Sequence, residues 1–165
     1  ATFKDSGDKL FKDNDERCIF FAKGVLETIK RLNWSPDIIH IHGWMSALLP
    51  IYLKENFKNE PIFQKSKIVT SLYANEFEKS LNNDMINKVL FDEIDKKSIS
   101  DLKEPTYENL TRIAINYSDG IILGSENISP KTIKFLKDYK NPILNFQPKD
   151  SFSESYLEFY NNLFD

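Results

Sequence analysis

Apolar residues recur at helical spacing in the first part of the chain. Between residues 14 and 33 they lie three or four positions apart, at Ile19, Ala22, Val25, Leu26, Ile29 and Leu32. This spacing is typical of a helix with one buried face. The Asp13-Asn14 pair offers an N-terminal cap, and Ser35-Pro36 disfavours continuation of the helix. The pattern therefore predicts a helix that ends near Asn33.

Four short runs rich in β-branched and other apolar residues are typical of buried strands. They span residues 37–41, 67–73, 120–123 and 143–146. Helical patterns lie between and after them, at residues 44–56, 82–94 and 106–117, and from Ser129 and Ser151 onward. Strands that alternate with helices predict an α/β, Rossmann-like parallel sheet flanked by helices. We expect one domain over residues 1–165, with an irregular segment over residues 1–13.

Three local signals refine the helices. Pro50 lies inside the 44–56 pattern, where it would free the Ser46 carbonyl and kink the helix. Ser129 precedes Pro130, which is a favourable helix start. Ser151 with Glu154 forms a capping-box signature. The last helix is expected to present a stripe of large side chains, at Phe152, Tyr156, Phe159, Tyr160 and Leu163.

Composition excludes several classes of protein. The 165 residues carry 22 Lys and Arg against 25 Asp and Glu, a net charge of −3, with no basic block. Phosphate neutralisation supplies most non-specific affinity for nucleic acid, so nucleic-acid binding is not expected. The hydrophobic fraction of 41% is sufficient for a packed core and excludes disorder for most of the chain.

Targeting signals are not found in the sequence. The longest uncharged run, residues 38–53, is shorter than the roughly 20 apolar residues that a spanning helix needs, and the first residues do not form a signal peptide. Cys18 is the single cysteine, so no internal disulfide forms, and we expect Cys18 to be a buried structural thiol. A cytoplasmic location without membrane association is expected. The lack of an initiator Met suggests that the chain is a piece of a longer protein.

The densest candidate site is His40-Ile-His42-Gly43-Trp44, at the carboxyl end of the first predicted strand. Ligands of open α/β sheets bind beyond the carboxyl ends of their strands. Residues i and i+2 of a strand share a face, so both histidines can point the same way. A zinc pair is disfavoured because no further ligand stands at a recognisable spacing, and no metal or cofactor is expected. His40 is interpreted as a hydrogen-bonded core residue, whereas functional and structural roles both remain open for His42.

Other charged and polar groups carry weaker signals. The turn that contains Gly124 and Ser125 follows the third strand, where backbone N–H groups can hold a phosphate or a sugar hydroxyl, although a plain structural turn is favoured. Two sets of charges are interpreted as solvated surface: Asp92, Glu93 and Asp95, and Lys131, Lys134 and Lys137.

The stretch from Asn14 to Leu53 resembles the N-terminal domain of bacterial glycogen and plant starch synthases. The residues that carry the resemblance are Pro36-Asp-Ile-Ile-His-Ile-His-Gly-Trp44 and Ala47-Leu-Leu-Pro-Ile-Tyr-Leu53. They are similar to the family's PDhhH-x-HDW strand, where h is apolar, and to its following ALxPxYL helix. Residues 67–81 and 117–125 look like two later strands of the family.

The resemblance implies part of a GT-B fold with two Rossmann-like domains and glucosyl transfer from ADP-glucose to an α-1,4-glucan. It places His42 on the active-site histidine beside the donor glucose, and Gly43, Trp44, Tyr73 and Ser125 on substrate-binding positions. Trp44 is expected to be mainly structural. Three departures stand out. Gly43 replaces the motif Asp, Tyr73-Ala74 replaces a His-Asn pair, and Glu78-Lys79 replaces a Gln-Gly pair. The family's KTGG donor loop and its basic second domain are absent from these 165 residues.

Without the basic second domain, the isolated chain is not expected to transfer glucose, because a departing nucleotide diphosphate needs cationic stabilisation. The alternative is a non-catalytic, pseudoenzyme-like protein that binds glucan or acts as a regulatory or interaction partner. An unrelated nucleotide-binding module ranks last, since no phosphate loop is found. A Rossmann-like sheet without its first strands would expose an edge, so self-association through that edge is expected.

Overall fold

The computed structural model describes residues 3–165 and contains a four-stranded parallel sheet. The strands lie in the order β1-β2-β3-β4. Their bounds are Ile38–His42 for β1, Lys67–Leu72 for β2, Gly120–Leu123 for β3 and Ile143–Leu144 for β4. The predicted α/β, Rossmann-like class is confirmed. The register aligns His42 with Ser71 and Leu72 with Leu123, so the carboxyl ends of the first three strands meet at one edge.

Six α-helices connect and cover the strands. They are α1 Asn14–Arg31, α2 Leu49–Glu55, α3 Met85–Leu90, α4 Tyr107–Asn116, α5 Pro130–Phe135 and α6 Phe152–Asn161. Short 3-10 turns span Trp44–Ser46, Pro61–Phe63 and Ser100–Lys103. Within residues 3–13 the chain makes turns and one antiparallel bridge, between Lys4 and Leu10. Residues 1 and 2 of the predicted irregular segment lie outside the described part.

The two faces of the sheet are covered very differently. Helices α1 to α5 pack on one face. Leu26, Ile39 and Ile68 belong to the large core on this face, and a smaller cluster around Ile121 lies beside it. The other face is covered by α6, whose Phe159 is buried with Val69, Ile122 and Leu163. Because side chains alternate along a strand, Ile39 and Ile41 point to the large core. The side chains of His40 and His42 therefore lie on the face that α6 covers.

The predicted helix over residues 44–56 is wrong in its first part. A 3-10 turn over Trp44–Ser46 precedes α2, which begins at Leu49. Pro50 therefore lies in the first turn of α2. Backbone N–H groups in the first turn make no hydrogen bond within the helix, so a proline there removes none. The predicted kink at Pro50 does not occur, because Ser46 precedes α2 and Pro50 is not in the helix interior. The predicted helix over residues 82–94 is also too long, because α3 is confined to Met85–Leu90 and Glu93 has a φ of 65°.

One predicted cap is confirmed and two are wrong. Ser129 accepts a hydrogen bond from the Thr132 N–H at the start of α5. Ser151 makes no capping bond, and its hydroxyl donates to the Pro148 carbonyl at 3.5 Å. Asp13 does not cap α1 either, because its carboxylate accepts from Arg17 Nε at 3.0 Å. In both cases a nearby side-chain or carbonyl partner competes with the helix N–H groups.

Asp92 is not the solvated carboxylate that its charged neighbours suggest. Its side chain is only 10% exposed and forms an ion pair with Lys23. The hydroxyl of the fully buried Tyr52 donates to Asp92 Oδ2 at 2.6 Å. Asp92 thus anchors the segment after α3 against α2. Lys131 is exposed as predicted, and it pairs with Glu108 at 3.1 Å.

Two further expectations concern Cys18 and membranes. Cys18 is a free, fully buried cysteine, as predicted, and burial raises the pKa of its thiol to about 12. Such a thiol stays protonated near neutral pH. In the part of the chain that the structure describes, no helix has the length and apolar character required to span a bilayer.

Candidate functional site

His40 and His42 lie side by side at the carboxyl end of β1. Their ring centroids are 4.1 Å apart and their planes are tilted by 36°. This proximity follows from the strand, since residues two apart project from the same face. The sequence prediction that both histidines share a face is confirmed.

The His40 ring is hydrogen-bonded at both nitrogens. Nε2 lies 2.7 Å from Ser71 Oγ on β2, and Nδ1 lies 2.7 Å from the Tyr160 hydroxyl on α6. Burial, and secondarily the nearby His42, lowers the pKa of His40 to about 4. His40 is therefore neutral at physiological pH and hydrogen-bonded, as the sequence analysis interpreted it, although it is half-buried and not a core residue.

His42 is exposed and is held at one nitrogen. Its Nδ1 lies 2.8 Å from the Tyr73 hydroxyl, and no hydrogen bond reaches its Nε2 from residues 3–165. Burial of part of the ring lowers the pKa of His42. A neutral imidazole with one nitrogen engaged can donate to or accept from a ligand hydroxyl at the other nitrogen.

Tyr73 is fixed by the segments around it. The Tyr107 hydroxyl donates to the Tyr73 carbonyl at 2.8 Å. A Cβ atom on Gly124 would lie 2.6 Å from the Tyr73 ring, so only glycine leaves room for that ring. The next residue, Ser125, is half-buried, and its Oγ accepts from the Ala74 N–H at 3.2 Å. The structure thus brings Tyr73 and Ser125, both predicted site residues, to the strand end where His42 lies.

Gly43 turns the chain directly after His42. Its φ of 70° with ψ of −177° is a conformation that residues with a Cβ rarely adopt. Its N–H donates to the Ser71 carbonyl at 3.2 Å, and a Cβ here would lie 3.2 Å from Asn75 Nδ2. An aspartate at position 43 would therefore be strained in this backbone.

Trp44 lies apart from the polar group. Its side chain is 3% exposed and belongs to the large core. It packs edge-to-face against Phe3 at 5.2 Å and Phe77 at 4.8 Å between ring centroids. The contacts of Trp44 are thus packing contacts beneath the turn that carries Gly43.

The arrangement of the two histidines differs from that of a metal centre. Among residues 3–165, no group of three or more His, Cys, Asp or Glu side chains could hold a metal ion. Three of the four imidazole nitrogens of His40 and His42 are already hydrogen-bonded to hydroxyl groups.

Sequence comparison identifies the family. The sequence model of the starch synthase catalytic domain matches residues 2–134. The chain belongs to the starch synthase catalytic domain family. The resemblance to glycogen and starch synthases seen in the sequence is thereby confirmed.

Individual relatives of this starch synthase family chain are glycogen synthases. The enzyme from Clostridium perfringens is 30% identical over 130 residues, covering 79% of this chain and 26% of the relative. That from Chlorobium limicola is 47% identical over 62 residues, or 38% of this chain and 13% of the relative. That from Elusimicrobium minutum is 44% identical over 61 residues, or 37% and 13%. The chain spans about a quarter or less of the length of these relatives.

The starch synthase family match ends at residue 134, inside α5, so α6 lies beyond it. Nevertheless α6 supplies two side chains to the site. Tyr160 bonds His40, and the Tyr156 ring lies 5.9 Å from the His40 ring. Burial raises the pKa of both phenols, so both remain protonated. Sequence reasoning placed these tyrosines only in a helix stripe and missed their part in the site. No spacing signal links them to a strand 120 residues away.

Proposed function

We propose that the chain is the N-terminal-domain part of a glycogen or starch synthase-like glucosyltransferase. The reaction is transfer of glucose from ADP-glucose to an α-1,4-glucan. The observation that carries this proposal is the exposed His42, bonded to Tyr73 at Nδ1 and open at Nε2, at the carboxyl end of a parallel strand. That edge is where α/β sheets bind ligands. The family match over residues 2–134 supports the reaction class.

Within this proposal His42 contacts the donor glucose through Nε2. Tyr73 orients the imidazole through Nδ1, and Gly43 and Ser125 shape the backbone around the sugar. Trp44 supports the turn from below. A hydrogen bond from a neutral imidazole to a sugar hydroxyl is worth about 1 kcal/mol, so the site alone orients glucose more than it holds it.

We propose further that the isolated chain does not transfer glucose. None of the side chains that hydrogen-bond to His40 or His42 within residues 3–165 is a lysine or arginine. A departing nucleotide diphosphate needs such cations or a metal ion. The Clostridium perfringens relative is about four times as long as its matched segment, which leaves room for a second part that supplies them. A cytoplasmic location is part of the same proposal.

A binding experiment tests the role of His42. The chain contains only two histidines, so the imidazole Hε1 signals in an NMR spectrum report on His40 and His42 alone. We expect ADP-glucose to shift the His42 signal with a weak dissociation constant, above about 10 mM or less than about 3 kcal/mol of binding free energy, because the contacts to the sugar alone hold it. ADP alone should not shift it, since none of the side chains that hydrogen-bond to the histidines within residues 3–165 is cationic.

The matched control is His42→Gln, which keeps a polar side chain but removes the reporter, so binding to this variant is followed by saturation transfer to the anomeric proton of ADP-glucose, which we expect to be lost. If neither ADP-glucose nor maltoheptaose shifts His42, the proposed site is wrong. A response to maltoheptaose without one to ADP-glucose would favour the alternative, a non-catalytic glucan-binding or regulatory protein. Glucosyl transfer by the isolated chain would contradict the proposed inactivity.

We also propose that the chain self-associates through the edge of its sheet. Within residues 3–165, β1 pairs on one side only, with β2. An unpaired strand edge is a template for pairing with another chain. Light scattering after size-exclusion chromatography should give about twice the 19.3 kDa of one chain at high concentration. A single-chain mass at every concentration would overturn this proposal.

A further inference from the structure

Helix α6 is seated closely on the sheet face that carries the two histidines. Phe159 and Leu163 are buried against Val69 and Ile122. A Cβ on Gly120 would lie 2.9 Å from Phe159 Cζ and 3.1 Å from Leu163 Cδ2, so the glycine lets the helix approach. This packing fixes where the other side chains of α6 lie, including Tyr160.

Tyr160 and Ser71 together immobilise the His40 ring. The Tyr160 hydroxyl is hydrogen-bonded to Nδ1 and Ser71 Oγ to Nε2, each at 2.7 Å, on opposite edges of the imidazole. Burial keeps the Tyr160 phenol protonated, and a phenol is a better donor than a serine hydroxyl. Tyr160 is therefore assigned as the donor to Nδ1, which places the His40 proton on Nε2, facing Ser71 Oγ.

The fixed His40 ring in turn limits the movement of His42. The hydrogen bond from Nδ1 to Tyr73 holds one atom of the His42 ring and still allows the ring to swing about that atom. The His40 ring, 4.1 Å away between centroids, blocks one side of that swing. Together the two contacts keep Nδ1 on Tyr73 and leave Nε2 for a ligand.

We propose that Tyr160 is a positioning residue for His42, which it orients through the ring of His40. The inference rests on the proposed function, in which His42 Nε2 contacts the sugar. It adds a residue from α6, outside the family-matched residues 2–134. The geometry of the family's strand-end histidine would then depend on a segment that the family match does not include.

The test compares Tyr160→Phe with the wild-type chain by long-range proton–nitrogen NMR of the two imidazoles. The phenylalanine keeps the ring packing and removes the hydroxyl alone. At pH 7 we expect the wild-type chain to show His40 with its proton on Nε2. In Tyr160→Phe we expect a mixture of both His40 tautomers and about a tenfold higher proton affinity of His40. The nitrogen chemical shifts of His42 should move toward the values of a free imidazole, which are averaged over its two tautomers.

Tyr139→Phe is the matched control, since the Tyr139 hydroxyl donates to the Ser118 carbonyl at 2.9 Å and Tyr139 packs with Leu72 and Ile121, on the sheet face opposite the histidines. It removes a comparable hydrogen bond and should leave both imidazole spectra unchanged. Ser71→Ala is a second variant, because it removes the other partner of His40. We expect it to mobilise His42 as well.

Unchanged His42 nitrogen shifts in Tyr160→Phe would overturn the inference, whatever Ser71→Ala shows, and so would an equal response in Tyr139→Phe. These spectra are recorded without ligand. Failure of ADP-glucose to bind the wild-type chain would therefore refute the proposed function, whereas the effect of Tyr160 on His42 would still be tested independently by these spectra.

Discussion

Replacing Lys88 with Met is expected to lower the free energy of unfolding by about 3 kcal/mol, because it leaves a buried carboxylate without its cation. Lys88 Nζ lies 2.7 Å from Asp15 Oδ2 and 2.7 Å from Glu16 Oε1. The Asp15 side chain is 0% exposed, and within residues 3–165 its Oδ1 has no hydrogen-bond partner. An exposed ion pair would be worth at most about 1 kcal/mol. Urea unfolding at pH 7 measures the difference.

Two controls isolate the buried charge as the cause. Lys79→Met removes a lysine that is exposed and should change the free energy of unfolding by less than about 0.5 kcal/mol. The double variant Asp15→Asn with Lys88→Met removes both charges and should recover more than half of the loss. If Lys88→Met is as stable as Lys79→Met, the ion pair does not stabilise α1 against α3.

The sheet was predictable because its strands are short runs of apolar residues next to turn residues. All four predicted strands occur within a residue or two of their expected positions. Helix lengths were less predictable, since periodicity continues through turns. The side chains of Trp44 and Ile94 are buried although they lie outside α2 and α3. Tertiary packing, and not helical structure, explains why those positions are apolar.

The strand-end half of the site was also predictable. His42 and Tyr73 end or follow β1 and β2, and Ser125 follows β3, so the topology alone brings them to one edge. Tyr160 was not predictable in the same way. An aromatic side chain in a helix stripe is usually core, and nothing in the local sequence tells a tyrosine that packs from one that donates to a histidine.

The same reasoning explains the misread charge of Asp92 and why the ion pair of Lys88 was not predicted. Both residues belong to segments in which most charges are solvated, and local patterns assign the same role to all of them. Their partners, Tyr52 and Asp15, are 40 and 73 residues away in sequence. Pairing between residues so far apart in sequence can be recognised only once the tertiary arrangement of the helices is known.

The second large effect concerns pH. Because burial lowers the pKa of His40 from 6.5 to about 4, the native chain does not bind this proton until pH 4. The unfolded chain binds it below about pH 6.5. Unfolding therefore takes up a proton between these values, and stability falls as the pH falls. The difference between the two pKa values corresponds to a decrease of about 3 kcal/mol in the free energy of unfolding between pH 7 and pH 4. Raising the pH above 7 adds no further stability through this group.

Comparison with His40→Gln separates this effect from the titration of carboxylates. The Gln side chain can hydrogen-bond to Ser71 and Tyr160 but does not titrate. Carboxylates such as Glu108, whose pKa is lowered chiefly by a backbone hydrogen bond, lose their contribution in both chains. We expect the wild-type chain to be the more stable of the two at pH 7 and to lose about 3 kcal/mol more than the variant by pH 4. Parallel pH profiles for the two chains would mean that His40 titrates at the same pH in the native chain as in the unfolded chain. The ring through which Tyr160 positions His42 would then be neutral only above about pH 6.5.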